Sequence, residues 1–148
     1  MNFLSRYIAI ISRLNARQWW AMVVSIFMLS SFVLKMRRRP FSWCWQRIHN
    51  PETVVETGSE TVDNKQQDLA LELHESVRLA ARVLPFKCEC LPKAVVLRDL
   101  LVARSIPAVV RLGVNKQQML SMQSHAWVEV DGQAIAENDD LRQSFKPL

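Results

Sequence analysis

Phe86-Lys87-Cys88-Glu89-Cys90-Leu91-Pro92 leads into the segment 93–104, where Val95, Leu97, Leu101 and Val102 supply apolar coverage and Ile106-Pro107 follows. The segment reads as a helix. Pro92 suits its first turn, where a missing N–H costs nothing, and the residue before Pro107 avoids helical geometry. Cys90 therefore falls at or just before a helix N-terminus. Free backbone N–H groups and the positive end of the helix dipole meet there, the surroundings a nucleophilic cysteine needs.

The flanking segments complete an α+β pattern. Upstream, Asp63 and Gln66 form a capping-box pair, and Leu69, Leu73, Val77, Ala80 and Leu84 recur at helical spacing until Pro85. His74 stands beside that stripe, flanked by Glu72 and Glu75, and reads as a surface or internally satisfied histidine. Downstream, Ala108-Val109-Val110-Arg111-Leu112-Gly113-Val114 is rich in β-branched residues and predicts a strand. A polar loop with Met119 and Met122 leads to a second strand, Ser124-His125-Ala126-Trp127-Val128-Glu129-Val130. Asp131-Gly132 turns the chain, and 133–137 returns as a third strand.

The register of this hairpin selects the partner of His125. A two-residue loop sets Asn138 opposite it, and a three-residue loop with a glycine bulge sets Glu137 there. In the three-residue register Ala126, Val128, Val130, Ala134 and Ala136 share one wholly apolar face. The two-residue register mixes Gln133 and Glu137 into that face, and burying an unpaired carboxylate is costly. The expected partner is Glu137, with Asn138 as the alternative. A cysteine at a helix start, a histidine on a later strand and a carboxylate beside it are the parts of a nucleophilic acyl-transfer site: thiolate, proton-transferring imidazole, and an acid that orients the ring. Trp127, on the His125 face, either shields the imidazole or packs on Ile135.

Cys90-Leu91-Pro92-Lys93-Ala94-Val95-Val96-Leu97, then Ile106-Pro107-Ala108 and Leu112-Gly113-Val114, then His125-Ala126-Trp127-Val128-Glu129-Val130-Asp131-Gly132, resemble the transglutaminase-like leader peptidases of lasso-peptide biosynthesis. The resemblance covers about residues 66–148. It implies a papain- or transglutaminase-like core, with the nucleophile at a helix N-terminus packed on an antiparallel sheet. It also implies removal of the leader from a ribosomally made precursor peptide, before a separate asparagine-synthetase-like cyclase closes a macrolactam. Cys90 matches the family's nucleophile and His125 its base, and Glu137 stands where the family carries Asp or Glu. Ala136-Glu137-Asn138-Asp139 departs slightly from the family's usual Asn-Asp or Asn-Glu, which leaves Asn138 and Asp139 as weaker candidates. Some relatives fuse a leader-recognition domain, for which 1–50 is too short and apolar, so a separate small recognition protein is implied. Two rival readings keep parts of this picture: another transglutaminase-like amidase or acyltransferase, and a non-catalytic membrane-docked adaptor.

The rest of the chain bounds these readings. Its 148 residues fit one compact domain with a short extension, and 49% hydrophobic against 22% charged residues exclude a disordered chain. Three glycines leave no material for a Gly-rich phosphate loop. Three cysteines cannot close a disulfide framework, and with no signal-peptide cleavage pattern the expected location is the reducing cytoplasm. Cys88 and Cys90 suggest a metal, but only Cys44, His49 and His74 remain to complete a ligand set, so neither metal nor cofactor is expected. Cys44, between Trp43 and Trp45, reads as a small buried apolar residue.

The net charge of +5 is unevenly divided: residues 1–51 hold eight basic side chains and no acid. Within them, 18–34 is an uncharged run of 17 residues, opened by Trp19-Trp20 and closed by Lys35-Met36-Arg37-Arg38-Arg39-Pro40. As a helix it reaches about 25 Å, short of the ~30 Å hydrocarbon core, so peripheral membrane association or burial in a complex is favoured over a span. Membrane contact, if made, runs through residues 18–39. Its arginines alternate with Ile, Leu, Met and Phe and lack a reading motif, so no nucleic-acid partner is expected. The expected organisation is a basic, hydrophobic helical segment at 1–50, a polar linker at 51–65, and the peptidase domain at 66–148.

Overall fold

A computed structural model describes residues 15–49, 63–115, 123–136 and 146–147. Among the described residues, four helices precede the sheet: α1 (Ala16–Arg38), α2 (Phe41–His49), α3 (Asn64–Val83) and α4 (Cys90–Val102). The strands are β1 (Ala108–Asn115), β2 (Gln123–Val130), β3 (Gln133–Ala134) and β4 (Lys146–Pro147). They form one antiparallel sheet in the order β3-β2-β1-β4. The architecture is the α+β arrangement expected, with a cysteine-bearing helix on an antiparallel sheet.

Local chemistry sets the helix ends. The N–H of Asp63 donates to Gln66 Oε1 at 3.3 Å in the expected capping box of α3. The same device opens α1, where Asn15 N–H donates to Gln18 Oε1 at 3.1 Å. Arg39, ahead of Pro40, is extended and ends α1. Helix α4 begins at Cys90, three residues earlier than Lys93, which makes Pro92 its third residue. That position is still among the first N–H groups with no intrahelical acceptor, so proline removes no bond.

One core joins the helical N-terminal half to the sheet. It holds Leu29 and Phe32 of α1, Cys44 and Ile48 of α2, Leu73 and Val77 of α3, Val95 and Leu101 of α4, and Val110 and Val128 of the sheet. Full burial of each such side chain contributes about 1.5–3 kcal/mol. Helix α1 packs across α3 and α4 through Ala21, Met22, Ser25, Leu29 and Phe32. The Ser25 hydroxyl donates to Ala21 O at 2.7 Å, so the one polar group on this face is satisfied. A polar staple ties α2 to α4. The guanidinium of Arg98, 2% exposed, donates to Arg47 O at 2.9 Å and to Asp99 Oδ1 at 3.0 and 2.7 Å, while Arg47 Nη2 donates to Asp99 Oδ2 at 2.8 Å.

The hairpin corrects the expected register. Val130 pairs with Gln133 and Glu129 with Ala134, so the loop has two residues, not three. Asp131 (φ 51°) and Gly132 (φ 72°) both occupy the left-handed region that a two-residue turn of this hand requires. Ile135 N–H donates to Val128 O at 2.9 Å, and Ile135 joins the core beside Val128. The expected third strand, 133–137, is regular only over Gln133–Ala134, and Ala136 has a φ of 54°. The physical reason is that Ile135, 9% exposed, enters the core on the face of Val128 and Val130, a face the three-residue register denies it. Glu137, Asn138 and Asp139 lie outside the described residues. Ile135→Ala is expected to lower unfolding free energy by about 2 kcal/mol in urea titrations, and Ala134→Ser by well under 1 kcal/mol. The opposite ranking would restore the three-residue register.

Candidate active site

The N-terminus of α4, the start of β2 and one face of α3 enclose an open cleft of about 120 Å³. Cys90 and His125 both line it. Cys90 is the first residue of α4, partly buried against the core, with no acidic residue in the first turn of its helix. The unpaired backbone N–H groups of that turn are candidate donors for an oxyanion formed on a carbonyl attacked by the sulfur.

His125 is held from one side. Its ring stacks on Trp127 with centroids 6.1 Å apart and planes 20° from parallel. Trp127 Nε1–H donates to Glu129 Oε1 at 3.1 Å, and Arg111 Nε donates to Glu129 Oε2 at 3.0 Å. Arg111, Trp127 and Glu129 thus form a bonded series across β1 and β2, where Arg111 faces Trp127. Trp127 is 5% exposed and lines the cleft beside His125. Ile135 pairs with Val128 rather than lying opposite Trp127, so the cross-strand Trp127–Ile135 packing does not follow from the observed register.

Two further cysteines lie outside the cleft lining. Burial pushes the Cys44 thiol up, partly offset by Arg47 and Arg98. Burial likewise raises Cys88, with Lys93 opposing. Cys44 is a core residue, as expected, and Cys88 lies in the irregular segment before α4, outside the cleft lining. Among the described residues, no three His, Cys, Asp or Glu side chains converge on a metal position.

His74, expected at the surface or internally satisfied, lines the cleft from α3 together with Arg78, its Nδ1 4.0 Å from Glu75 Oε1. Arg78 is held by Glu75 at 2.6 and 2.9 Å. Lys93 adds a further cation from α4. The sequence contained a usable signal: His74 and Arg78 are four residues apart, each one position beyond a buried stripe residue, Leu73 and Val77. What it lacked was the docking direction of α3 against α4. Of the expected triad, the cleft brings together Cys90 and His125, and Glu137 lies outside the described residues.

A family model described as the transglutaminase-like superfamily matches residues 32–148. No curated protein and no solved structure matches the chain.

Proposed function

The chain belongs to the transglutaminase-like superfamily, and on that premise we propose that it is a cysteine peptidase that removes the leader from a ribosomally made lasso-peptide precursor. The superfamily includes cysteine peptidases and acyltransferases and typically works through a catalytic cysteine. The observation that carries the reading is the meeting of Cys90, at a helix N-terminus, with His125 in one cleft. The choice of substrate rests on the spelling of the Cys90-Leu91-Pro92 and His125-Ala126-Trp127 segments.

In the proposed reaction His125 takes the Cys90 thiol proton as the sulfur attacks the carbonyl at the leader–core junction. Backbone N–H groups at the start of α4 hold the oxyanion, and collapse of the tetrahedral adduct expels the core peptide's amine, which receives the proton from His125. Water, deprotonated by His125, then cleaves the Cys90 thioester, releasing the leader carboxylate and restoring the thiol. Glu137 is proposed to orient the imidazole because it stands where the resembled family carries Asp or Glu; the two-residue hairpin loop removes the register argument for it. A separate small recognition protein would deliver the leader, and an asparagine-synthetase-like cyclase would consume the freed amine on the cytoplasmic side.

The test is to incubate the purified chain with a leader-containing precursor and its recognition protein and to read product masses. A leader fragment and a free core peptide are expected. An intact precursor under conditions where the recognition protein binds the leader would overturn the reading. Glu137→Ala is expected to slow cleavage about a hundredfold, and Asp139→Ala less than tenfold. The reverse order would transfer the orienting role to Asp139. His74→Gln should reduce the rate less than tenfold, because His125, not His74, carries the proton. A loss equal to that of His125→Gln would make His74 the base.

A further inference from the structure

Helix α1 has two apolar faces, and the fold uses one. Ala21, Met22, Ser25, Leu29 and Phe32 are buried against α3 and α4. On the opposite side Trp20, Phe27 and Leu34 recur every seventh residue and are 70%, 72% and 50% exposed. Their stripe is about 21 Å long at helical rise. An exposed aromatic and aliphatic stripe of this length marks a surface that contacts something other than water.

Charge identifies the occupant. Arg17 stands at one end of the stripe, and Lys35, Arg37, Arg38 and Arg39, all exposed, stand at the other. No acidic residue occurs anywhere in residues 1–51. Exposed Trp19 extends the aromatic end. A bilayer with anionic headgroups matches the whole set: the stripe reaches the acyl boundary, tryptophan sits at headgroup depth, and the cations meet phosphates. We propose that α1 lies flat on an anionic membrane surface through Trp20, Phe27 and Leu34, holding the cleft-bearing half of the molecule against the bilayer without crossing it.

The same helix is long and apolar enough to span a membrane, but its packing opposes that arrangement. Its other face is occupied by α3, which carries Lys65, Asp68, Glu72, Glu75, Arg78 and Arg82. Those charges cannot follow α1 into hydrocarbon, and pulling α1 away would uncover part of the apolar face of α3. An in-plane helix keeps both contacts. The inference does not depend on the peptidase reading.

The test uses the full chain and co-sedimentation with vesicles of phosphatidylcholine alone, or with about one-third phosphatidylglycerol. Partition onto the anionic vesicles is expected, weakened by raised salt and released by alkaline carbonate. Trp20→Ser/Phe27→Ser/Leu34→Ser should weaken it about a hundredfold, and Lys35→Gln/Arg37→Gln/Arg38→Gln/Arg39→Gln at least tenfold. Because the substituted side chains are exposed, circular dichroism should report an unchanged fold. Three results would each overturn the proposal: no partition, partition indifferent to both sets of changes, or carbonate-resistant insertion, which indicates a span. Self-association abolished by the triple serine variant, with no vesicle binding, would make the stripe a protein interface instead.

Discussion

Cys90→Ala is expected to abolish leader release, a loss of about four orders of magnitude or more in rate, while Cys88→Ala stays within a few-fold of the parent. The two sulfurs are separated by a single residue, so composition and local charge do not distinguish them. Their positions do. Cys90 opens α4 and lines the cleft with His125, whereas Cys88 lies in the irregular chain before the helix and outside the lining. A nucleophile removed leaves no thioester route, and the remaining oxyanion donors cannot replace it. Product masses from the cleavage assay give the answer directly, and trapping an acyl adduct on a Cys90-containing peptide would place the covalent step. Equal losses from both substitutions would remove Cys90 from its assigned role.

Asp99→Ala is expected to lower unfolding free energy by about 3 kcal/mol, the largest stability effect among the polar residues described. Arg98 is 2% exposed, and Asp99 Oδ1 takes two of its three hydrogen bonds. Without that carboxylate a buried guanidinium keeps only the Arg47 carbonyl. The cost comes from the stranded charge, since removing one partner of a buried pair is far worse than removing both. Arg98→Met combined with Asp99→Leu should therefore be much less destabilising than Asp99→Ala alone. The Arg47–Asp99 contact adds little, because Arg47 is about half exposed. Urea unfolding of the three proteins separates these contributions. A change below about 1 kcal/mol for Asp99→Ala would show that water or a neighbouring acceptor replaces the carboxylate.

Much of the scaffold could be read before any coordinates. The α3 cap at Asp63, the stripe Leu73–Val77–Ala80 and the β-branched run of β1 are set by neighbours within a few residues, and each forms as expected. The helix at Pro92 was also legible, because proline's missing donor has few tolerable positions in a helix. The placement of Cys90 at a helix start and of His125 near the start of a strand was legible for the same kind of reason. The hairpin was not. Its register balanced a carboxylate at Glu137 against an isoleucine at Ile135, and alternation treats every strand position as if pairing continued. Pairing is regular for only two residues of β3, so Ile135 decided the outcome. Strand β4, two residues on the far edge of β1, had no local pattern to announce it.

Sequence alone determined the kinds of element, their order, the cysteine at a helix start and the basic, apolar character of the first third, because periodicity, proline and charge act over a few residues. Tertiary packing decided the rest: that His74 faces the cleft, that Ile135 is inside, and that α1 gives Leu29 and Phe32 to the core while leaving Trp20 and Phe27 outward. An apolar helix offers several faces of similar hydrophobicity. Which one is buried depends on the shape and charge of the element it meets, and that element lies far away along the chain.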